Sequence, residues 1–298
     1  MRLKTFRSYF EATARQRVAG VFDKNSFAEL CPPSEQFGSP HLKHFNIPLS
    51  FDDGVVVGDV LLGGMKICCA AQEGRFMGGA IGEVHSAKIV GILKRCLKKK
   101  PEAMVFLFDS GGVRLQEANA GEIGVAEIIR ALLDVRYAGI PVIGAIGGSC
   151  GVFGGAGIIS GCCDALVVSE EARIGVSGPE VIETNMGVDV FDSRDRALVW
   201  RTCGGKHRYI LEMADDIVEN SMEAFRNALI KLMKIKKTYD LAGLEKEHEI
   251  LKKRSTDFSD CRDGFDVWRK IGFSDVEKIP SLTVEDLKAQ QKNRGGVK

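Results

Sequence analysis

The sequence predicts an α/β fold of parallel strands covered by helices. Three observations predict it: largely apolar runs at 103–109, 140–146 and 164–170, a glycine turn shortly after each of the first two, and helical periodicity between them. Strands buried on both faces read as continuous apolar runs, and their alternation with helices argues for parallel pairing.

Taken in order, residues 1–50 read as an N-terminal helix followed by a connector, because CPPSEQFGSPHLKHFNIP is rich in proline and polar residues. VVVGDVLL and MKICCAAQ read as a pair of strands with Gly63-Gly64 between them. EVHSAKIVGILKRCLKKK carries apolar residues at helical spacing, ends in lysines that suit the negative end of a helix dipole, and is stopped by Pro101. AMVFLFD (103–109) is a predicted buried strand, 114–139 a helix, IPVIGAI (140–146) a second buried strand and DALVVSE (164–170) a third. Asp215 to Lys237 is predicted as one long amphipathic helix. From Asp240 onward the chain is charged with scattered hydrophobes; it is expected to pack on the domain or a partner, with KAQQKNRGGVK disordered. The chain thus divides into a helix and connector (1–50), a main domain (51–240) and a charged extension (241–298), with no internal repeat.

With 298 residues of which 45% are hydrophobic, the chain can build a sizeable core. Its 41 basic and 40 acidic residues leave a net charge of +1, so the overall balance points to neither nucleic acid nor an anionic membrane. No segment approaches the ~18 apolar residues of a membrane span, and the expectation is a soluble, cytoplasmic protein. Nine cysteines is an odd number, and Cys68-Cys69 and Cys162-Cys163 sit in apolar runs, so disulfides are not expected. No C-x-x-C or H-x-x-x-H spacing occurs, which leaves no metal site in view.

The stretch IGGSCGVFGGAG (146–157) fits two kinds of active site. Ser149 lies in a G-x-S-x-G frame between a predicted strand and a predicted helix, and Asp189, Asp192, Asp195 and His207 follow in the order of a serine hydrolase. The same stretch holds Gly154 and Gly155, while Gly111 and Gly112 follow the preceding strand. Glycine lets backbone N–H groups approach a ligand, and two N–H donors on one oxygen form an oxyanion hole. The competing account is that the glycines only permit tight turns and close packing. Neither G-x-x-x-x-G-K-[ST] nor G-x-G-x-x-G occurs, which argues against ATP or a dinucleotide.

The pieces ARQRVAGVFDKNSFAEL (14–30), FMGGAIGEVHSAKI (76–89), DSGGVRLQE (109–117), CGVFGGAG (150–157) and GVSGPEVIE (175–183), in this order and spacing, resemble the carboxyltransferase branch of the crotonase/ClpP superfamily. GVDVFDSRDRALVWRTCGGKHRY (187–209) further resembles the β subunits of malonate decarboxylases. The acetyl-CoA carboxylase carboxyltransferase β subunit is similar, but this chain lacks its zinc ribbon. The resemblance implies a crotonase-like ββα spiral in which a thioester carbonyl lodges against backbone N–H groups. Carried over, Gly154 and Gly155 polarise that carbonyl, Gly111 and Gly112 line the same pocket, and Gly78, Gly79, Val113 and Arg114 contact the substrate.

It also implies an activity: decarboxylation of malonyl-S-acyl carrier protein to acetyl-S-acyl carrier protein and CO2, through an enolate. No cofactor is then expected on this chain itself, since the substrate rides on the CoA-derived prosthetic group of the carrier. The implied partners are a γ subunit supplying the second crotonase-like half, the acyl carrier protein (δ) and an α subunit. The alternative within the branch is half of a biotin-dependent carboxyltransferase, and further alternatives are the Ser149 hydrolase and a non-catalytic scaffold half.

Several side chains keep two readings. Arg114 could meet a carboxylate or phosphate, or form an ion pair within the fold. His85 reads as a packed histidine, and His207 similarly, with Lys206 and Arg208 able to face an anion. Lys94, Arg95, Lys98, Lys99 and Lys100 read as a solvated helix end that could also dock an acidic carrier.

Overall fold

The apolar runs come together in one sheet. In the computed structural model, residues 8–46, 53–235 and 240–294 are described. The strands are β1 (Ala28–Leu30), β2 (Val55–Leu62), β3 (Met65–Gln72), β4 (Ala103–Phe108), β5 (Val142–Ile146), β6 (Ala165–Ser169) and β7 (Asp216–Val218). Their order in the sheet follows the chain from β1 to β7. β1, β2 and β3 are antiparallel neighbours; β3 through β7 are parallel.

The helices are α1 (Ala14–Val21), α2 (Glu83–Lys99), α3 (Ala120–Tyr137), α4 (Gly154–Gly161), α5 (Pro179–Met186), α6 (Arg196–Cys203), α7 (Gly205–Ile210), α8 (Met222–Leu232), α9 (Leu241–Asp257), α10 (Gly264–Lys270) and α11 (Val284–Arg294). Between strand and helix the chain makes short bridges in a second, smaller layer, pairing Ile81 with Val113, and Val152 with both Ser110 and Ile174. Strand, bridge and helix repeat around the sheet, which is the ββα spiral.

The alternation of side chains along β4 shows why the sheet is buried on both faces. Met104, Phe106 and Phe108 face the core shared with α2 and α3, and the Phe106 and Phe108 rings stack at 4.9 Å. Ala103, Val105 and Leu107 face the other core, built with α1 and α8. Gly144 lets these rings close on β5, since a β-carbon there would stand 2.8 Å from Phe108.

Four sequence expectations are corrected. The helix expected from Arg114 begins at Ala120: Leu115–Glu117 is a 3-10 turn, and Ala118 at φ 49° breaks the backbone path. Asp215–Lys237 is not one helix. Asp216–Val218 pairs with β6 as a strand, and α8 starts only where Ser221 caps it by accepting the Ala224 N–H at 3.1 Å. Between the N-terminal helix and the connector, where no strand was expected, lies the short strand β1, antiparallel to β2. Residues 288–294, expected to be disordered, lie in α11; Leu287 is buried and Lys288 meets Asp216 at 2.6 Å. The remainder of that tail, like Lys236 and Lys237, lies outside the described residues.

The strand pair around Gly63-Gly64, α2 and the three buried strands stand as expected. Trp268, Val276, Ile279 and Val284 of the extension join the main core, whereas α9 buries none of its residues.

Candidate active site

Two glycine turns leave neighbouring parallel strands at the same end of the sheet. One is Asp109-Ser110-Gly111-Gly112-Val113-Arg114 after β4; the other runs from Gly147 after β5 to the N-terminus of α4. Backbone bonds tie them together: the Ser110 N–H donates to Gly151 O at 2.8 Å, and the Phe153 N–H to Ser110 O at 2.9 Å. Gly112 (φ 133°) and Gly154 (φ 56°) occupy the left-handed region, and a β-carbon on Gly112 would lie 3.7 Å from the Gly154 α-carbon.

The N–H groups divide unevenly. Gly111 N–H donates to Gly78 O at 2.8 Å and Gly154 N–H to Val176 O at 2.8 Å. Gly112 N–H makes a longer bond, 3.3 Å, to Ser110 Oγ. Gly154, expected with Gly155 to polarise the carbonyl, is therefore corrected as a donor, its N–H being already bonded, while Gly111 and Gly112 were expected only to line the pocket. Val113 and Gly155 N–H groups meet no acceptor among the described residues. Gly155 is the second residue of α4, where a helix leaves its N–H groups unbonded and its dipole positive. The two residues adjoin, for a β-carbon on Gly155 would sit 3.4 Å from Val113 Cγ1.

Gly78 and Gly79 form the 3-10 turn Met77–Gly79, packed beneath the first turn. Gly78 is exposed and lends its carbonyl to Gly111; a β-carbon on Gly79 would fall 1.9 Å from Asp109 O. Both glycines support the turn's backbone.

Arg114 lies beside the turn but points inward, 2% exposed. Its Nε donates to Ala80 O at 2.9 Å, Nη1 to Glu117 Oε1 at 3.0 Å and Nη2 to Asp53 O, while the guanidinium covers the Phe76 ring. Glu117, fully buried, also accepts the Glu83 N–H. Of the two readings of Arg114, the internal ion pair is the one the geometry supports.

Neither histidine lies free at the turns. His85 is buried, with Nδ1 3.2 Å from Asp53 O and Nε2 3.2 Å from Gln72 Nε2, so Nδ1 carries the proton. Burial, then the Arg114 charge, holds its pKa well below the ordinary value and keeps it neutral. His207 Nδ1 accepts the Trp268 indole N–H at 3.1 Å; burial, aided by Arg208, lowers its pKa to about 3. Ser149 is exposed, its carbonyl accepts from Arg173 Nη2 at 2.6 Å, and no hydrogen bond joins it to His207 among the described residues. Asp195 caps α6 instead of orienting a histidine.

The lysine cluster sits at the opposite end of the sheet. Lys99 and Lys100 precede β4, whose six residues span about 20 Å at ~3.3 Å each before the first glycine turn. Arg95 is paired there with Asp59. Among the described residues no cluster of His, Cys, Asp and Glu could hold a metal, and no helix is long and apolar enough to cross a membrane.

Sequence reasoning missed Arg17 of α1, whose guanidinium reaches under the sheet's end to Asp109 at 2.9 Å with both side chains buried. The only signal was its place in ARQRVAGV, one of the pieces carrying the resemblance.

Comparison with known proteins agrees with this architecture. The chain is 38% identical over 306 residues to the malonyl-S-ACP:biotin-protein carboxyltransferase MADC of Malonomonas rubra, covering 96% of each. It is 31% identical over 215 residues to the propionyl-CoA carboxylase beta chain of Saccharopolyspora erythraea, covering 69% of this chain and 37% of that one. Among solved structures, a chain of the Pseudomonas malonate decarboxylase hetero-tetramer in complex with malonate superposes with a TM-score of 0.81 at 36% identity, over 89% of this chain and 97% of that one. A chain of the Pseudomonas MdcD-MdcE hetero-dimer gives 0.67 at 32% identity, over 86% and 100%. A profile of the carboxyl transferase domain matches residues 10–218, and the chain belongs to that family.

Proposed function

We propose that this chain is the β half of a malonate decarboxylase, acting with a partner subunit on a malonyl thioester carried by an acyl carrier protein. The observation that carries the reading is the pair of N–H groups, Val113 and Gly155, that meet no acceptor among the described residues, on adjoining turns at the carboxyl end of the sheet. The thioester carbonyl accepts both. The bond between the carboxylate and the α-carbon breaks, CO2 departs, and the electron pair passes into an enolate whose oxygen these N–H groups stabilise. The α-carbon then takes a proton to give the acetyl thioester. Gly111, Gly112 and Gly154 shape the turns, Gly78, Gly79 and Arg114 hold the first turn in place, and 51–240 is the catalytic domain.

The need for a partner is supported by the apolar surface beside the turns. Leu115, Ile123, Ile158, Val176 and Val181 are exposed, on segments that leave the carboxyl ends of β4, β5 and β6. A γ subunit seated there covers the site and excludes water. The acyl carrier protein delivers its CoA-derived arm between the halves, and an α subunit completes the complex.

A second reading, transfer of the carboxyl group to a biotin protein, is favoured by the name of the Malonomonas relative. Purified complex with its γ partner, given malonyl-CoA, should release CO2 and acetyl-CoA without biotin. No turnover in the complex would overturn the proposal, and turnover abolished by avidin would replace it with the biotin reading.

A further inference from the structure

Beneath the two turns, one residue is tied to three other parts of the chain, two of them through its carboxylate. Asp109 ends β4 and opens the first turn; its Oδ1 accepts the Cys150 N–H of the second turn at 2.8 Å, and its Oδ2 meets Arg17 Nη1 at 2.9 Å. Its own N–H donates to Gln72 Oε1 at 3.2 Å, on β3. Arg17 is held in turn from α1, donating to Tyr9 O at 3.0 Å and Phe10 O at 3.3 Å. The side chains of the pair are 1% and 3% exposed.

The carboxylate is also seated against bare backbone. A β-carbon on Gly148 would lie 2.2 Å from Asp109 Cγ, and one on Gly74 2.5 Å from Oδ2. Desolvating two charges costs about as much as their attraction returns, so a buried ion pair is poor ground for stability alone. What this pair does have is a fixed bond from the first turn into the second.

We infer that Asp109, oriented by Arg17, is a positioning residue. By holding the Cys150 N–H it sets the offset of the second glycine turn against the first, and so the spacing of the Val113 and Gly155 N–H groups. The inference rests on the reading that these two groups hold the enolate. The backbone bonds Ser110 to Gly151 and Phe153 to Ser110 persist without the carboxylate, so its loss shifts the turns and leaves the fold standing.

Two double variants of this chain, each assembled with the partner subunit, separate the hydrogen bond from the charges. R17M/D109N removes both charges and keeps a carbonyl oxygen for the Cys150 N–H; R17M/D109L keeps the branched shape and removes the acceptor. With malonyl-CoA, R17M/D109L is expected to lose ~10-fold or more in kcat at unchanged KM, because small misplacements of donors are costly, and R17M/D109N to recover most of it. Equal kcat in the two variants, or a change confined to KM, would overturn the inference. If R17M/D109L does not assemble, Gly148→Ala, which drives a methyl into the carboxylate, is read the same way: lost kcat at constant KM supports the inference and full kcat overturns it. Wild-type complex inert toward malonyl-CoA counts against the proposed function, whereas active wild type with fully active R17M/D109L counts against the positioning role alone.

Discussion

Gly112 and Gly154 stand face to face, with a β-carbon built on Gly154 only 3.2 Å from the Gly112 α-carbon. Each belongs to a different turn; a side chain on Gly154 would press on the facing turn, and at Gly112 the φ of 133° disfavours any side chain. Behind them, a β-carbon on Gly155 would meet Val125 Cγ2 at 2.5 Å. Gly155→Ala is therefore expected to lower kcat by ~10²-fold, the scale seen when one oxyanion donor is lost, and adding Val125→Ala should recover part of it by opening space. Steady-state kinetics of the assembled pair checks both, and an unaltered kcat in Gly155→Ala would remove Gly155 from the site.

Arg114 is expected to act on stability. Arg114→Met leaves Glu117 charged and buried, a change that costs ~3–5 kcal/mol when one partner of a buried pair is removed. Urea denaturation measures this. A variant as stable as wild type with a raised KM would instead make Arg114 a substrate ligand.

Acid should weaken the fold through its buried histidines. An unfolded chain takes up a proton on His207 as pH falls through its ordinary 6.5, but the folded chain does so only near 3. Stability then falls with decreasing pH across that window, by up to ~1.4 kcal/mol per pH unit for each such group, and His85 contributes in the same direction. His207→Gln, which keeps an acceptor for Trp268, should flatten the slope measured by denaturation between about pH 6 and pH 4. An identical slope would mean that His207 charges readily in the fold.

Val176 is expected to lie under the partner subunit. Val176→Asp leaves its backbone bond to Gly154 available while placing a charge on the apolar surface. Co-purification should fail while the chain alone keeps its melting temperature; normal assembly would move the interface elsewhere.

Ser149→Ala should leave kcat unchanged, since among the described residues no hydrogen bond joins Ser149 to a histidine and His207 is engaged by Trp268. Loss of turnover would revive a nucleophilic mechanism.

Strands β2 to β6 and α2 were legible because burial writes itself as apolar runs and period. β7 was not: three residues beside a well-formed amphipathic helix carry no period, and their strand character comes from pairing with β6. The late start of α3 depends on Arg114 turning inward to Asp53 and Glu117, residues 61 and three positions away in the chain. At the site, glycine content marked the turns, but which N–H groups remain unbonded depends on the carbonyls of Gly78 and Val176, supplied by segments distant in sequence. Arg17 was hidden for the same reason, its partner lying 92 positions further along at Asp109.

The contact of Lys288 with Asp216 has a consequence for solubility. β7 ends the sheet, and a strand at that position offers unpaired amides and carbonyls to any extended chain that meets it. It is short and acidic, and α11 lies across it with Lys288 clasping Asp216 and Gln291 reaching Ile210 O. A chain cut back before Val284 would uncover that margin, and its aggregation would then grow with concentration even where the glycine turns remain intact.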